Sequence, residues 1–412
     1  MQTLRPYQRK AKSDIERAWS TYRAPLLVAP TGSGKTVIIA HLVRDVPRKR
    51  VLFLCPAREL VFQGRDRLLD NGVSAGVLMG RLSPKGEPVH VATVQTAARR
   101  DLGDYDLVII DEAHRALAPQ CAQILQRYKN AKILGVTATP IRLDGKPLSR
   151  VFDHLVMCST VSELIRDGYL VPYRVYAPDT PPDLARVKVD KRTKDYSSRS
   201  LSHHYVTPRL VGDAVEHWQR LAYGKPTFVY CTSIPHAEET LKAFTGAGIR
   251  ANMITGETGR TRRDELLGDL RGRKLHVLVN VGVLTEGVDC PEVECLVILR
   301  PTLSLGLHLQ ILGRGSRPAR NKRECLVLDH ADNHRRHGFY DEPREWSLKG
   351  RGEWSNKAAL GRNAPQAKKC PNCGAMIPTG AGECPQCGAV QLPVVGEGRL
   401  VRKVRKTRVR WA

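Results

Sequence analysis

Residues 26–43 read LLVAPTGSGKTVIIAHLV, an apolar run, a glycine-rich loop and a second apolar run in succession. The first run is apolar throughout, as is typical of a strand that is covered on both faces of a parallel sheet. Glycines allow backbone N–H groups to close around phosphate oxygens, and a helix that starts directly after the loop favours anions at its N-terminus. The stretch therefore predicts an α/β fold with a phosphate-binding loop after a strand.

The residue types at the end of this loop indicate what it binds. Lys35 is expected to reach the β- and γ-phosphates of ATP, and Thr36 is expected to ligate Mg²⁺. The alternative is a glycine-rich turn without a ligand, which the order of strand, loop, Lys-Thr pair and helix disfavours. The predicted cofactor-binding residues of the loop are Thr31, Gly32, Ser33, Gly34, Lys35 and Thr36.

A second motif, DEAH, occupies residues 111–114 and follows an apolar run at 107–110. A carboxylate at the C-terminal end of a parallel strand points into the crevice where ligands bind. Asp111 is therefore suited to hold Mg²⁺, and Glu112 to orient and deprotonate an attacking water. A surface acidic turn is the alternative, which the phosphate-binding loop upstream in the chain disfavours.

Apolar runs of the same kind recur in both halves of the chain, and a stretch of different character separates the halves. Pro181 and Pro182 precede a polar, basic and Ser-rich stretch, KVDKRTKDYSSRS. Strands that alternate with helices imply βαβ units and parallel sheets. We therefore expect one α/β lobe over residues 1–178, a linker or inserted loop over 179–207 and a second α/β lobe over 208–345.

Two CxxC pairs, CPNCG and CPQCG, stand near the C-terminal end, after a polar linker expected at residues 346–369. Four thiolates at this spacing fit a tetrahedral Zn²⁺ ion, and the glycine after each pair suits a tight turn. Two disulfides are the alternative, which a reducing compartment would disfavour. We predict a zinc ribbon or knuckle over 370–390, a basic tail over 391–412, and as zinc ligands Cys370, Cys373, Cys384 and Cys387.

The charge of the chain points to a polyanionic partner. Its 412 residues include 66 Lys and Arg against 41 Asp and Glu, a formal net charge of +25. Such a surplus repels itself unless a polyanion neutralises it, so nucleic acid is the first partner to consider, and a basic protein without one is the alternative. No run approaches the ~18 apolar residues that a membrane span needs. Most cysteines lie in apolar runs, as in reduced cytosolic proteins, so we expect a cytoplasmic location and no membrane partner.

In order along residues 1–330, these motifs resemble those of the superfamily II helicases of the DEAH type. Within the superfamily, the chain resembles most the compact bacterial branch that includes the RadD-type ATPases and, more distantly, the XPB-like DNA translocases. The resemblance implies two tandem RecA-like P-loop NTPase lobes with parallel sheets, which close over ATP and Mg²⁺. The zinc module would follow as a C-terminal addition.

Further segments of the first lobe resemble helicase motifs, and each implies a role. In LRPYQ the side chains would pack on adenine and hydrogen-bond its edge, as an amide can; these residues are Arg5, Tyr7 and Gln8. CPARELVFQ and VATVQT would touch the nucleic-acid backbone through Arg58, Thr93 and Gln95. TATP would couple the two sites, through Thr137 and Thr139 together with His114. A structural role is the alternative for each segment.

The second lobe carries two more such segments. One is VNVGVLTEGVDCP, in which four residues would face the cleft: Thr285, Glu286, Gly287 and Asp289. The resemblance assigns Thr285 to nucleic-acid binding, and Gly287 and Asp289 to cofactor binding. QILGRGSRP supplies Gln310, Gly313, Arg314 and Arg317. Two guanidinium groups three residues apart share one helical face and could stabilise transition-state charge from the opposite lobe. Solvated surface charge is the alternative. The catalytic residues predicted overall are Lys35, Asp111, Glu112, Gln310, Arg314 and Arg317.

The function that we expect is an ATP-dependent helicase or translocase on nucleic acid. Gln310 stands where the DEAD-box RNA group usually has His, and we expect no long extension after this motif of the kind that the larger DEAH-type RNA helicases carry, so we favour DNA over RNA. A duplex translocase that separates no strands and an adapter that ATP only switches are the alternatives. The zinc module could grip nucleic acid, dock a partner protein or terminate the fold.

Overall fold

The first lobe is built on a seven-stranded sheet in which every pairing is parallel. The computed structural model describes residues 2–45, 49–285, 287–350 and 367–391. The strand order is β3-β4-β2-β5-β6-β1-β7. The strands are β1 (Pro25–Val28), β2 (Val51–Cys55), β3 (Ala75–Leu78), β4 (Val89–Thr93), β5 (Leu107–Asp111), β6 (Lys132–Thr137) and β7 (His154–Met157).

Helices cover both faces of this sheet, because neighbouring residues of a strand point to opposite faces and both sets are apolar. Leu27 and Phe53 belong to the buried cluster on one face, and Leu26 and Leu52 to the cluster on the other. These helices are α1 (Pro6–Ala18), α2 (Lys35–Arg44), α3 (Arg58–Asp70), α4 (Val94–Arg99) and α5 (Pro119–Arg127). The next helix, α6 (Val161–Arg166), packs through Leu164 on the core of the second lobe.

The strand order brings three loops to one edge of the sheet. β6 lies between β5 and β1, with Val28 opposite Thr137 and Asp111 opposite Val136. The chain leaves all three parallel strands at the same edge, where ligands bind in open α/β sheets. The glycine-rich loop, the DEAH segment and the TATP segment are therefore neighbours.

The second lobe repeats this architecture. Six parallel strands stand in the order β10-β11-β9-β12-β13-β8, and two short antiparallel strands, β15 and β14, follow at the edge. The strands are β8 (Tyr173–Tyr176), β9 (Thr227–Tyr230), β10 (Ala251–Ile254), β11 (Val277–Asn280), β12 (Cys295–Ile298), β13 (Cys325–Asp329), β14 (Ala367–Lys369) and β15 (Met376–Pro378). The helices are α7 (Ser198–His204), α8 (Pro208–Ala222), α9 (Ile234–Gly246), α10 (Arg260–Arg271), α11 (Leu305–Gly315) and α12 (Asn333–His337).

One strand, β8, belongs to the second lobe although the expected boundary at residue 178 assigned it to the first. β8 precedes that boundary, yet it pairs in parallel with β13, with Val175 opposite Val327. Its side chains Tyr173 and Val175 are buried in the core of the second lobe. The chain therefore enters the second sheet before the Pro181–Pro182 stretch, because the free edge of β13 offers backbone partners to it.

The segment at 179–207 is a small folded insertion on the second lobe. It carries α7 and a buried cluster of Val187, Leu201 and Tyr205. The structure thus favours the inserted loop over a plain linker. The expected linker at 346–369 and the basic tail at 391–412 fall mostly outside the described residues, as does Glu286. Among the described helices, none has both the length and the apolar character that a membrane crossing requires.

Candidate functional site

The glycine-rich loop between β1 and α2 has a backbone that only glycine adopts easily. Gly32 and Gly34 have φ values of +88° and +81°, in the left-handed region that disfavours other residues. A Cβ atom at Gly34 would lie 2.5 Å from Nε2 of Gln8. Lys35 is the first residue of α2, and its Nζ donates to the carbonyl of Ala29 over 3.4 Å. The buried hydroxyl of Ser33 has no hydrogen-bond partner among the described residues.

The start of α1 packs on this loop. The amide of Gln8 donates to the carbonyl of Ser33 over 2.8 Å, and its oxygen accepts from the backbone N–H of Arg5 over 3.0 Å. Tyr7 also donates to the Ser33 carbonyl over 2.8 Å, and burial raises the pKa of its phenol, so the hydroxyl stays protonated. The predicted adenine-reading residues thus hold the phosphate-binding loop, and their contact with adenine stays a prediction.

Tyr169, a residue that the sequence did not single out, packs against the start of α1. The Tyr169 ring lies 5.0 Å from that of Tyr7, and the guanidinium of Arg5 stands over it at 4.6 Å. Tyr169 is more than 150 residues from Arg5 in the chain and belongs to no helicase motif, so no sequence signal marked it.

The DEAH segment leaves β5 through an unusual backbone. Glu112 has φ +48°, a left-handed conformation that is uncommon for a residue other than glycine and is often found at functional sites. Its N–H donates to the Asp111 carboxylate over 3.0 Å. Oε2 of Glu112 is buried and lies 3.4 Å from Nδ1 of His114. The same ring nitrogen lies 3.2 Å from the Thr137 hydroxyl.

The TATP segment continues this line of contacts into the second lobe. The Thr137 hydroxyl donates to the carbonyl of Thr139 over 3.1 Å and accepts from its N–H over 3.2 Å. The Thr139 hydroxyl lies 3.2 Å from where a Cβ of Gly306 would stand, at the start of α11. The three residues that were predicted to couple the ATP site and the nucleic-acid site are His114, Thr137 and Thr139. They therefore form a continuous series of contacts from Glu112 to α11 of the opposite lobe.

The two arginines of α11 and the turn after it make different contacts. Arg314 is buried, and its Nε and Nη1 each donate over 2.9 Å, to the carbonyls of Thr285 and Val288. Arg317 pairs with Asp289, donates to Val288 O over 2.8 Å, and its Cγ lies 3.1 Å from the Cβ position of Gly32. Burial, then the charge of Arg314, lowers the pKa of Arg317 to about 10, which leaves it charged at neutral pH. Arg317 thus faces the phosphate-binding loop, whereas Arg314 holds the backbone at Thr285 and at Val288.

α11 also touches the loop directly at Gly313. A Cβ atom there would lie 2.4 Å from Cβ of Thr31, closer than two carbon atoms can pack. The close approach of the lobes therefore depends on the absence of a side chain at this position.

Replacing Gly313 by alanine is expected to reduce ATP hydrolysis by about 100-fold, because a shift of about 1 Å between the lobes misplaces the reacting groups. Steady-state ATPase assays measure the change. The matched control is Gly268→Ala in α10, where an added Cβ meets nothing within 4 Å. Equal activities of the Gly313→Ala and Gly268→Ala variants would show that the contact has no role in hydrolysis.

Beside these contacts the lobes enclose a cleft of about 1330 Å³. Eight arginines and five acidic residues line it, so its surface is net positive. The predicted site residues that line it are Arg58, His114, Thr139, Thr285, Gly287, Asp289 and Gln310. Thr93 and Gln95 do not line it: Thr93 is buried and its hydroxyl caps α4 by accepting from Thr96 N, and Gln95 is exposed.

α3 bridges the lobes at one wall of this cleft. Gln63 donates to the carbonyl of Gly287 over 2.6 Å. Arg67 lies 3.3 Å from the carboxylate of Asp289, which also pairs with Arg317. Gln63 is the last residue of the CPARELVFQ segment, and Arg67 lies four residues further along the same helix, but only the fold shows that they meet the second lobe.

The four cysteines near the C-terminus come together. Their Sγ atoms lie within 4.8 Å of one another, and no bond joins them, because every cysteine of the chain is a free thiol. Gly374 and Gly388, which follow the two pairs, have φ values of +73° and +70°, as the predicted tight turns require. This arrangement fits a tetrahedral Zn²⁺ ion with the ligands Cys370, Cys373, Cys384 and Cys387.

Three parts of the chain match known families. Residues 1–142 match the family described as "Type III restriction enzyme, res subunit", residues 212–319 match the "Helicase conserved C-terminal domain", and residues 369–390 match a zinc-ribbon domain. The chain belongs to the superfamily II helicases. Its two lobes thus correspond to the two motor domains of this superfamily, and the ribbon is an addition to them.

This helicase is similar to three relatives and covers a different share of the length of each. A 51.5 kDa protein of a Lactococcus phage is 31% identical over 357 residues, 86% of this chain and 75% of the phage protein. A Schizosaccharomyces pombe protein, provisionally named the mitochondrial ATP-dependent helicase irc3, is 32% identical over 82% of this chain. The match covers only 59% of the S. pombe protein. The DNA 3'-5' translocase XPB2 of Sulfurisphaera tokodaii is 27% identical over 79% of this chain and 81% of its own.

Among solved structures, the helicase is similar to a fragment provisionally described as an HsdR subunit of a type I restriction enzyme from Vibrio vulnificus. The TM-score is 0.64 at 23% identity, and the match covers 84% of this chain and 68% of the fragment. At this identity the likeness supports the fold, two RecA-like lobes with parallel sheets.

The ribbon of this helicase is part of the second sheet. β15 pairs antiparallel with β8, with Met376 opposite Val175, and Met376 is buried in the core of the lobe. Lys369 forms an ion pair of 2.7 Å with Asp179. These contacts favour termination of the fold among the three roles that the sequence left open.

Removing zinc is expected to unfold the ribbon and to lower the melting temperature by about 5 °C or more, because zinc binding supplies much of the folding free energy of so small a module. Atomic absorption should find one zinc per chain, and calorimetry with and without a chelator measures the melting temperature. Cys373→Ser should lose the metal, whereas Cys121→Ser, buried in the first lobe, should keep it. A zinc-free native chain would contradict the assignment.

Proposed function

We propose that this chain is an ATP-dependent DNA helicase or translocase that hydrolyses ATP between its two lobes. The observation that carries the proposal is the approach of Arg317 to Gly32, which brings a mostly buried cation of one lobe onto the phosphate-binding loop of the other. Two buried polar atoms support it, the Ser33 hydroxyl and Nε of Arg317, which have no hydrogen-bond partner among the described residues. Phosphate oxygens would satisfy both donors.

The chain's own residues divide the chemistry. Lys35 would bind the β- and γ-phosphates, and Glu112 would accept a proton from the attacking water. Arg317 would stabilise the charge of the transition state, as an arginine finger does, with Asp289 orienting its guanidinium. Thr36 and Asp111 would hold Mg²⁺, which supplies neutralisation of phosphate charge.

Loss of the γ-phosphate would weaken the contact between the lobes and let them separate. Because the Thr139 hydroxyl lies beside Gly306 of α11, 3.2 Å from its Cβ position, the same movement would change the cleft. The arginines of the cleft suit a phosphate backbone, which they would contact without reading sequence. One cycle of ATP would then move the strand relative to one lobe.

Several features support DNA as the polymer. The net charge of +25 suits either nucleic acid, whereas Gln310 at the head of the last motif and a relative that is named as a DNA translocase favour DNA. We assign it to the DEAH-type branch near the RadD and XPB-like proteins, and propose DNA repair, recombination or mobile-element replication as its setting. A partner protein at the ribbon is a further possibility for that setting.

The test is a panel of polymers in an ATPase assay, with single-stranded and duplex DNA and RNA, together with a strand-displacement assay. We expect DNA to stimulate hydrolysis more than RNA does. Stimulation without strand displacement would favour a duplex translocase. No turnover with any polymer would favour an adapter that ATP only switches, and would overturn the proposal.

A further inference from the structure

The insertion at 179–207 contains a tight turn that no helicase motif includes. Val189 and Tyr196 form an antiparallel bridge, and between them the N–H of Lys194 donates to the carbonyl of Asp190 over 2.8 Å. The Asp190 carboxylate accepts from the N–H groups of Arg192 and Thr193 over 2.9 and 2.8 Å. The turn, residues 190–195, is thus held by its own backbone; we call it the insert turn.

A buried carboxylate attaches the insert turn to the motor. Asp195 is 9% exposed and accepts from the Thr302 hydroxyl and from the N–H of Leu303, each over 2.6 Å. Leu303 lies two residues before α11, whose end carries Arg314. The position of the turn is therefore fixed relative to the helix that reaches the phosphate-binding loop.

The outward face of the insert turn is strongly cationic. Lys191, Arg192 and Lys194 are all exposed, and within the described residues no acidic side chain forms an ion pair with them. The acidic residues of the turn offset this face only in part: Asp195 is buried, and the Asp190 carboxylate accepts from backbone N–H groups and interacts with the charge of Arg192. Three cations are thus held close together without an ion pair among the described residues.

The insert turn stands at the large inter-lobe cleft. Arg192 and Thr193 line the cleft, together with Arg58 of the first lobe and residues 256–260 of the second. The turn therefore extends a cationic surface that already contains a predicted backbone contact, Arg58.

We propose that the insert turn is an additional binding site for the sugar-phosphate backbone of a DNA strand in the cleft. The proposal rests on the proposed function, since it names a further contact for the same polymer. Contacts of this kind do not select a base, so the turn would hold the strand independently of sequence. Because Asp195 connects it to the segment before α11, the contact would move with the second lobe during the ATP cycle.

The experiment compares DNA binding of the wild-type chain with a triple variant, Lys191→Gln, Arg192→Gln and Lys194→Gln. Fluorescence anisotropy with a labelled single strand is recorded at several salt concentrations. Loss of three phosphate contacts is expected to weaken binding about 10-fold to 100-fold and to reduce the slope of log affinity against log salt by about 2. Circular dichroism melts check that each variant is folded.

The matched control removes the same charge elsewhere, through Lys129→Gln, Lys242→Gln and Lys274→Gln, all exposed and none lining the cleft. It is expected to change the affinity less than 3-fold. Equal affinities of the two triple variants would overturn the proposal, because general charge alone would then account for binding.

A second variant separates position from charge. Asp195→Ala makes the chain one charge more positive, so attraction by net charge alone predicts tighter binding. If the anchored turn holds the strand, binding should instead weaken about 3-fold, because alanine cannot accept from the Thr302 hydroxyl or from the N–H of Leu303. Tighter binding by Asp195→Ala would overturn the proposal. A wild-type chain that binds no DNA would reject the proposed function itself, which distinguishes the two failures.

Discussion

Arg317→Ala lowers DNA-stimulated ATP hydrolysis by about 1000-fold or more, the effect expected when a transition-state arginine is removed. The side chain is held by Asp289 and the Val288 carbonyl, and its stem packs on Gly32. These contacts hold the guanidinium in one position, so it need not reorganise during the reaction. The turnover number at saturating ATP and DNA measures the loss.

The matched control for this prediction is Arg320→Ala. Arg320 lies three residues further along the chain and is exposed. Its removal takes away the same charge and should leave turnover within about 2-fold, as is usual for a surface charge. Full activity of Arg317→Ala would show that the guanidinium facing Gly32 takes no part in hydrolysis. A comparable loss in Arg320→Ala would point to net charge instead.

Glu112→Gln is expected to slow hydrolysis by about 100-fold to 10,000-fold, the range for a general base. Glutamine keeps the size of the side chain and can still contact His114, but it cannot take a proton from water. ATP binding should persist, so the variant should hold ATP and DNA together. Single-turnover hydrolysis and ATP retention on DNA measure the two effects.

Glu59→Gln serves as the control for the base, because Glu59 is an exposed acid of the cleft wall in α3. It should hydrolyse ATP at nearly the wild-type rate. If Glu112→Gln did the same, the water would be activated by another group, and the role given to the DEAH segment would be wrong. If Glu112→Gln lost ATP binding as well, the substitution would act by changing the shape of the DEAH segment and not by removing a base.

The sequence by itself determined the parts of the site that depend on a few consecutive residues. Lys35 opens α2 after the glycine-rich loop, Asp111 ends β5, and Gly374 follows a cysteine pair in a left-handed turn. In each case the residue type dictates the local backbone or the ligand. The α/β class and the zinc ribbon could be predicted for the same reason, since apolar runs and CxxC spacing are local patterns.

Only the tertiary structure decided which distant segments meet. β8 joins the second sheet before the expected boundary, β15 continues that sheet from the ribbon, and Asp195 reaches Thr302 across more than 100 residues of chain. It also distinguished Arg317, which faces Gly32, from Arg314, which holds a backbone loop. Strand pairing and contacts between lobes depend on which edges and surfaces the whole fold leaves open, and no short stretch of residues encodes that geometry.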